Sequence, residues 1–474
     1  MNKLLQIFLF LFLPAAVCTA QNPDIKRTYH WYFGSKAGLD FSSGSLIAVT
    51  NGQLVSDNSA SISDTAGHLL FYTDGISVWN KNHQLMPNGT GLNGDAYGKV
   101  VIVPKPLNDS IYYIFYTRVN PPPNTGFQYA MVNMNLQGGL GDVILKNDTI
   151  LKNSWERIAA VKHANGIDVW IAVTEMYTNN IYCYLLTAAG LQPPVINSIG
   201  HVENYGGTML RFSASGKKIV MPCNQDSSEI FDFNSVTGIF SNTIMLPTGY
   251  NNWQDFWVEF SPDETKLYFS RGIPPGGPPP APGRNVLYQA DLMAGSQTSI
   301  INSVTFIDTI SQTPGSGIQR GADGYLYVGR CDIASLGRIN HPNASGLSCN
   351  YDTNAVNLLG RASGEGLPNF VSSYFYDSTL LNSVTNIQAL NDSIVCYPNP
   401  FNYTTSVIIP SLITISDIEL IDLLGRKTEI KKKISRENNK TIVTLNRNNL
   451  PDGIYLLQIK INTKVYSQKL ILTH

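Results

Sequence analysis

The run VEFSPDETKLYFS, from Val258 to Ser270, decides the fold. Apolar and polar residues alternate on either side of Ser261-Pro-Asp-Glu-Thr265, the pattern of two strands joined by a tight acidic turn. Related runs recur along the chain, with first turns marked by Gly67, Asp109, Asn165, Ser215, Asp263 and Asp323. Successive markers are 42, 56, 50, 48 and 60 residues apart, and the last gap holds a Pro/Gly-rich insert, Ile273 to Gly283, read as a polyproline loop on a hairpin. Periods near this length with about four short strands per unit predict an all-β chain built as a β-propeller. One such sheet cannot bury both its faces alone, whereas radial stacking lets each sheet cover the next. Seven blades are the first choice, with six or eight as alternatives. The run NFVSSYFY (Asn369 to Tyr376) is expected to be a strand that completes a blade begun by Trp31 to Phe41, closing the ring.

Composition agrees with a turn-rich β protein: charged residues make up 14% of the 474, and the net charge is −1. That balance hides a split. From Ile394 onward there are 11 Lys/Arg against 6 Asp/Glu, about +5, while the rest carries 22 against 28, about −6. Neither part is basic enough for a nucleic-acid partner. The first 20 residues, with Lys3, the apolar run LLQIFLFLFLP and AAVCTA, read as a secretory signal peptide cleaved before Gln21. Val17 ahead of Cys18 argues against a lipid-anchor signal. No later stretch reaches the ~18 apolar residues of a membrane span. Residues 21–376 are expected to form the propeller, 377–393 a linker and 394–474 a small immunoglobulin-like β-sandwich. The mature cysteines include no CxxC pair, so no metal site is expected. Cys331–Cys349 and Cys183–Cys223 are conceivable bridges, with buried free thiols the equal alternative.

The tail carries ordered motifs: Tyr397-Pro398-Asn399-Pro400-Phe401, Leu423-Leu-Gly425, Leu450-Pro-Asp-Gly453-Ile-Tyr455 and Lys469-Leu470. Their order resembles the C-terminal sorting domain of Bacteroidetes proteins exported by the type IX (Por) secretion system. The resemblance implies passage across the outer membrane, a translocon and tail-processing machinery as partners, and a secreted or surface-attached product. The motifs WYFG (Trp31–Gly34), LLFYTDG (Leu69–Gly75), GLGDV (Gly139–Val143), EFSPD (Glu259–Asp263) and GLPNF (Gly366–Phe370) are similar to those of WD40-like or YVTN-like propellers in exported proteins of the same bacteria. Five Asp-Ser/Thr-apolar triplets, at Asp64, Asp109, Asp148, Asp308 and Asp392, resemble the O-glycosylation site of such proteins.

Four residues ahead of the turns at Ser215, Asp263 and Asp323 stand Arg211, Glu259 and Gln319. Repeated polar residues on inner strands need an explanation, since sheets covered on both faces are apolar there. They either ring the mouth of a central channel and meet a ligand, with Glu156 joining them, or satisfy one another between blades, as in an Arg211–Glu259 pair. The second reading is preferred. Tyr250, Trp253, Phe256 and Trp257 cluster in a loop ahead of an inner strand, where rings could stack on a sugar or a partner, with Trp253 and Trp257 as binding candidates and Phe256 expected to pack into the neighbouring blade. His163 is expected to be a hydrogen-bonded surface histidine and the turn aspartates to tighten hairpins. No nucleophile elbow, zincin motif or EF-hand loop is present, so no catalytic residue and no cofactor is named. The sequence therefore points to an exported propeller that binds a glycan, protein or surface component. A polysaccharide lyase or hydrolase on the same scaffold is the alternative, and it requires two carboxylates, or an Arg/His/Tyr cluster, within reach of one another in a pocket; a spacer or adhesin, for which ring architecture alone matters, is the third option.

Overall fold

The computed structural model describes residues 22–95, 98–118, 126–202, 206, 209–222, 227–247, 254–273, 284–311, 315–376, 395–409, 415–422, 426–428, 430–437, 440–461 and 464–473. The expected signal peptide (1–20), the expected linker (377–393) and the Pro/Gly insert beyond Ile273 lie outside them. The chain divides into two compact units, Met1–Asp377 and Ser378–His474.

In the first unit seven antiparallel sheets follow one another among the described residues. Sheets two to seven open on the inner strands Ala60–Ser63, Val100–Pro104, Ser154–Lys162, Arg211–Phe212, Gln254–Phe260 and Ile318–Arg320, and each meanders outward in chain order. The first sheet differs. His30–Ser35, Ala37–Asp40 and Ile47–Val49 meander, and Val55–Ser56 then returns to pair with the end of the first of these. Inner strands touch in succession from the first to the fifth sheet and between the sixth and seventh, and the fifth packs on the sixth through Val220, Ile230, Val258 and Phe260. The seventh sheet packs back on the first through Tyr327, Leu336 and Val356 against Trp31, Phe33 and Phe41. The sheets therefore form a closed ring, a β-propeller.

The burial pattern follows from that packing. A strand sandwiched between two neighbours is covered on both faces, so Lys266–Ile273 is buried at every position. Outermost strands face water, and Asp142–Lys152 is mostly exposed. The repeated turn has a common closure. Ser261 N–H donates to the Lys266 carbonyl (2.9 Å) while Lys266 N–H donates to Ser261 Oγ (2.9 Å), and Ser213 and Lys218 repeat both bonds. Asp263 Oδ1 accepts from Thr265 N–H and the Ser261 hydroxyl, which is the hairpin-tightening expected of it.

Asn369 to Tyr376 does not form the expected strand. Ser372–Phe375 is a 3₁₀ turn, and the fourth strand of the first sheet is Val55–Ser56 instead. Residues 362–376 run through the middle of the ring. The Ala362 carbonyl accepts from Ser35 N–H (2.9 Å), and the Glu365 carbonyl from Gly317 N–H. Asn369 N–H donates to the Ser59 carbonyl (2.9 Å), and Ser373 Oγ accepts from Lys162 N–H (2.9 Å). Val371 and Tyr374 pack with the inner strands of the second to fourth sheets, and Leu367, Phe370 and Phe375 with the first and seventh. A segment enclosed on all sides by strand faces has no sheet edge to join, so its apolar residues pack without a ladder.

The second unit holds two four-stranded antiparallel sheets among the described residues. One contains Thr404–Ile409 and Lys440–Asn446 as central strands, the other Ile415–Asp422 and Gly453–Ile461. Val407, Val443 and Leu445 of the first share a core with Leu420, Leu457 and Ile459 of the second.

Candidate functional site

The structure brings Arg211, Glu259 and Gln319 together. All are buried, at 2%, 6% and 1% exposure. Arg211 Nη2 donates to Gln319 Oε1 (3.0 Å), and Arg211 Nε lies 3.4 Å from Glu259 Oε2. Arg211 Nη1 reaches Asn369 Oδ1 of the central segment at 3.5 Å. Burial holds the Glu259 carboxyl above its ordinary range, although Arg211 and Arg320 pull the other way. With residues 362–376 on the axis, these groups face protein, and Arg211 and Glu259 line, with Ser372 and Phe375, a void too small for a ligand.

Glu156 and Trp257 sit elsewhere, at the starts of the inner strands. Trp257 is not an exposed loop aromatic: it is 4% exposed, because Gly366 of the central segment abuts its ring and the Lys99 ammonium lies 5.1 Å over it. Lys99 is itself buried, which pushes its ammonium below its usual pKa, while Glu156, Glu365, Asp57 and Asp95 oppose that shift. Burial first, and Asp57 next, raise Glu365. Such a cluster can serve as a general acid–base set or as a satisfied structural network. Tyr250 and Trp253, and the Phe256 side chain, lie outside the described residues.

The other sequence candidates resolve simply. His163 accepts from Asn165 N–H at 3.0 Å in a surface turn, as expected. Cys183, Cys331 and Cys349 are free thiols, so no Cys331–Cys349 bridge forms, and Cys223 lies outside the described residues. Of the triplet hydroxyls, Thr65 and Thr149 are exposed and Ser110 and Thr309 half-buried.

The ligand-sized feature lies where sequence reasoning did not look. A groove of about 850 Å³ opens between the first and seventh sheets, within the size range of small-molecule sites. It exists because the outer strand of the first sheet, Ile47–Val49, has only three residues, against seven in its neighbour Tyr351–Asn357. Its walls include Tyr29, Phe41, Tyr325, Arg338 and Asn357, with Asp323 at the turn. The Arg338 guanidinium lies 4.6 Å from the Tyr325 ring centroid, and its Nε donates to Asn340 Oδ1 (2.7 Å). Asp323 Oδ2 accepts from the Tyr327 hydroxyl (2.6 Å) and Oδ1 from Tyr325 N–H (3.2 Å). Burial raises the Asp323 carboxyl above its ordinary range, ahead of the lowering by those bonds. The signal that would have found this cluster is hairpin register: Tyr327 pairs with Arg338, and Tyr325 stands two residues earlier on the same face.

In the second unit the motif residues have distinct tasks. Phe401 is buried in the core, while Tyr397 is exposed. Asn399 clamps the motif to the last strand, its Nδ2 donating to the Lys469 carbonyl (2.7 Å) and its Oδ1 accepting from Ile471 N–H (2.8 Å). The Pro398 carbonyl accepts from the Thr405 hydroxyl (2.6 Å), the Pro400 peptide is cis, and Gly453 opens the strand that carries Tyr455. Tyr455 is buried and donates its hydroxyl to the Pro451 carbonyl (3.0 Å). Lys469 is exposed, and Gly425 lies outside the described residues.

Residues 395–473 match the family model of the secretion system C-terminal sorting domain. A tail of this Por type indicates export by type IX secretion, to the cell surface or the medium. No helix among the described residues is long and apolar enough to cross a membrane. No curated protein matches the sequence. Among solved structures, a putative 6-phosphogluconolactonase from Bacteroides uniformis is similar at 13% identity and a TM-score of 0.44, over 69% of this chain and 97% of that one. One from Bacteroides fragilis is similar at 12% and 0.43, over 71% and 96%. A functionally unknown protein from Desulfotomaculum acetoxidans is similar at 10% and 0.37, over 73% and 99%.

Proposed function

We propose that this protein is an exported β-propeller that binds a ligand outside the cell without transforming it, through the groove between its first and seventh sheets. The observation that carries the reading is the groove itself. It combines aromatic faces (Tyr29, Tyr325) with a cation (Arg338) and polar edges (Asp323, Asn357) in a space of ligand size. The axis of the ring, by contrast, is occupied by the chain's own residues 362–376. Rings and fixed polar groups in an open groove suit recognition better than bond breaking, which needs an acid and a base converging on one atom. The test is an array of extracellular glycans and surface proteins probed with the full-length protein and with Tyr325→Ala. The variant is expected to lose the captured partner, and equal capture by both proteins would remove the groove from the reading. Export is tested separately: deletion of residues 395–473 should leave the protein inside the cell envelope, and its undiminished appearance in the medium would contradict the sorting role.

The second reading is a polysaccharide-acting enzyme, and what favours it is the buried cluster around Lys99, where Glu365 is raised and Lys99 lowered within one charged group. It predicts release of new reducing ends or unsaturated sugars from a polysaccharide, abolished by Glu365→Gln. No release from any polymer that the protein binds would dismiss it.

A further inference from the structure

Resting on the groove reading, a narrower statement about the ligand follows from the groove's charge. Its two charged lining residues are Arg338 and Asp323. A guanidinium offers five N–H donors in a planar fork. In Arg338, Nε is committed to Asn340 and the plane is held over Tyr325, so the side chain is positioned before any ligand arrives. The Tyr327 hydroxyl also interacts with it, which leaves further donors of the fork uncommitted. Asp323 is not seated on that cation: its Oδ2 accepts from the Tyr327 hydroxyl and its Oδ1 from Tyr325 N–H. A positioned, incompletely balanced guanidinium is the usual receptor for a carboxylate, which it grips with two parallel bonds. Around it the walls mix small, aliphatic and aromatic residues. Gly44, Ala48, Ala322 and Ala355 are interspersed with the aliphatic Ile47, Val356 and Leu359, and Tyr29 and Tyr325 bring rings at half-buried and exposed positions. Flat aromatic faces beside a planar amide match a sugar ring, which has an apolar C–H face and hydroxyl edges.

We propose that the groove recognises a uronic-acid residue of an extracellular polysaccharide, with Arg338 holding the sugar carboxylate and a tyrosine face carrying the ring. The experiment is calorimetric titration of the full-length protein with tetramers of galacturonate, glucuronate, mannuronate and guluronate. The methyl ester of each tetramer, neutral maltotetraose and hexaglutamate serve as comparisons. At least one uronate tetramer should bind, and its methyl ester at least about tenfold more weakly, the change expected when charge-assisted hydrogen bonds are lost. Arg338→Ala should weaken the acid by about 10- to 100-fold and leave the ester unchanged. Arg338→Lys should fall between, since it keeps the charge and loses the fork. A circular dichroism spectrum and urea midpoint matching the parent's guard against loss through misfolding in Arg338→Ala and Tyr325→Ala. If acid, ester and maltotetraose bind alike and Tyr325→Ala abolishes all three, the groove stands and the uronate inference falls. Binding of hexaglutamate alone would replace sugar by acidic peptide. If no saccharide binds, or binding ignores both Tyr325→Ala and Arg338→Ala, the groove reading falls and takes this inference with it.

Discussion

Replacement of Glu259 by leucine should be among the most damaging single changes in the ring. The 3.4 Å separation of Arg211 Nε and Glu259 Oε2 corresponds to an attraction of about 5 kcal/mol at an effective dielectric of about 20. Removal of two charges from water costs several kcal/mol each, so the intact pair contributes little net stability. A single deletion is different. Glu259→Leu leaves the Arg211 charge buried with only neutral partners, Gln319 and Asn369, and should cost about 3–5 kcal/mol. Glu259→Gln keeps an acceptor for only one of Phe260 N–H and Arg320 N–H, which donate to different carboxylate oxygens, but still gives Arg211 an acceptor and should cost less than Glu259→Leu. Adding Arg211→Leu to Glu259→Leu should recover at least about 1.5 kcal/mol, the signature of coupled neighbours. The assay is urea unfolding followed by tryptophan fluorescence. All six tryptophans, Trp31, Trp79, Trp155, Trp170, Trp253 and Trp257, precede residue 378, so the signal reports on the first unit. A neutral Glu259→Leu, or a double variant whose loss equals the sum of the singles, would refute the pairing argument.

Three further outcomes follow from other contacts. Gly34→Ala should lower ring stability by more than about 2 kcal/mol, because Gly34 has φ +54° and a Cβ there would stand 2.4 Å from the Ala362 carbonyl oxygen; an unchanged urea midpoint would contradict this. Asp24 is opposed by burial, yet Lys162 and Arg27 hold it below its usual pKa. Its stabilisation is therefore present above the unfolded value and lost as pH falls through the folded one. Asp24→Asn should lower stability at neutral pH and reduce the acid dependence below about pH 4, as read from thermal midpoints across pH. Burial pushes the Cys183 thiol far above its ordinary range, so Cys183 should resist a water-soluble thiol reagent in the native protein and react in urea; rapid native labelling, located by peptide mass mapping, would show that its strand opens.

Hairpins such as Val258 to Ser270 were legible because both halves of each signal, strand alternation and turn chemistry, are local. The meeting of Arg211, Glu259 and Gln319 was legible too, because one register repeated across three units places equivalent residues at one height. Long-range packing was not. Nothing in NFVSSYFY distinguishes apolar residues that alternate across a sheet from apolar residues surrounded on every side, so the central segment read as a strand. Trp257 looked exposed because Gly366 and Lys99, which cover it, lie more than 100 residues away in each direction. The groove depends on the brevity of Ile47–Val49 and on which sheet neighbours it, and neither is visible before the ring is closed.

The Asn22 side chain donates to the carbonyls of Ser373, Tyr374 and Tyr376, some 350 residues further on. The first contact this unit needs at its N-terminal end is thus supplied by the last residues of the unit to be made. A chain that emerges from the ribosome or a translocation pore in order must hold six or seven sheets waiting, with their inner faces uncovered, until residues 362–376 arrive. Contacts of such sequence separation form slowly, and during that interval the exposed inner strands are open to proteases and to wrong partners. A truncation before residue 362 would remove the keystone, along with the second unit, while leaving every described strand of the seven sheets in place.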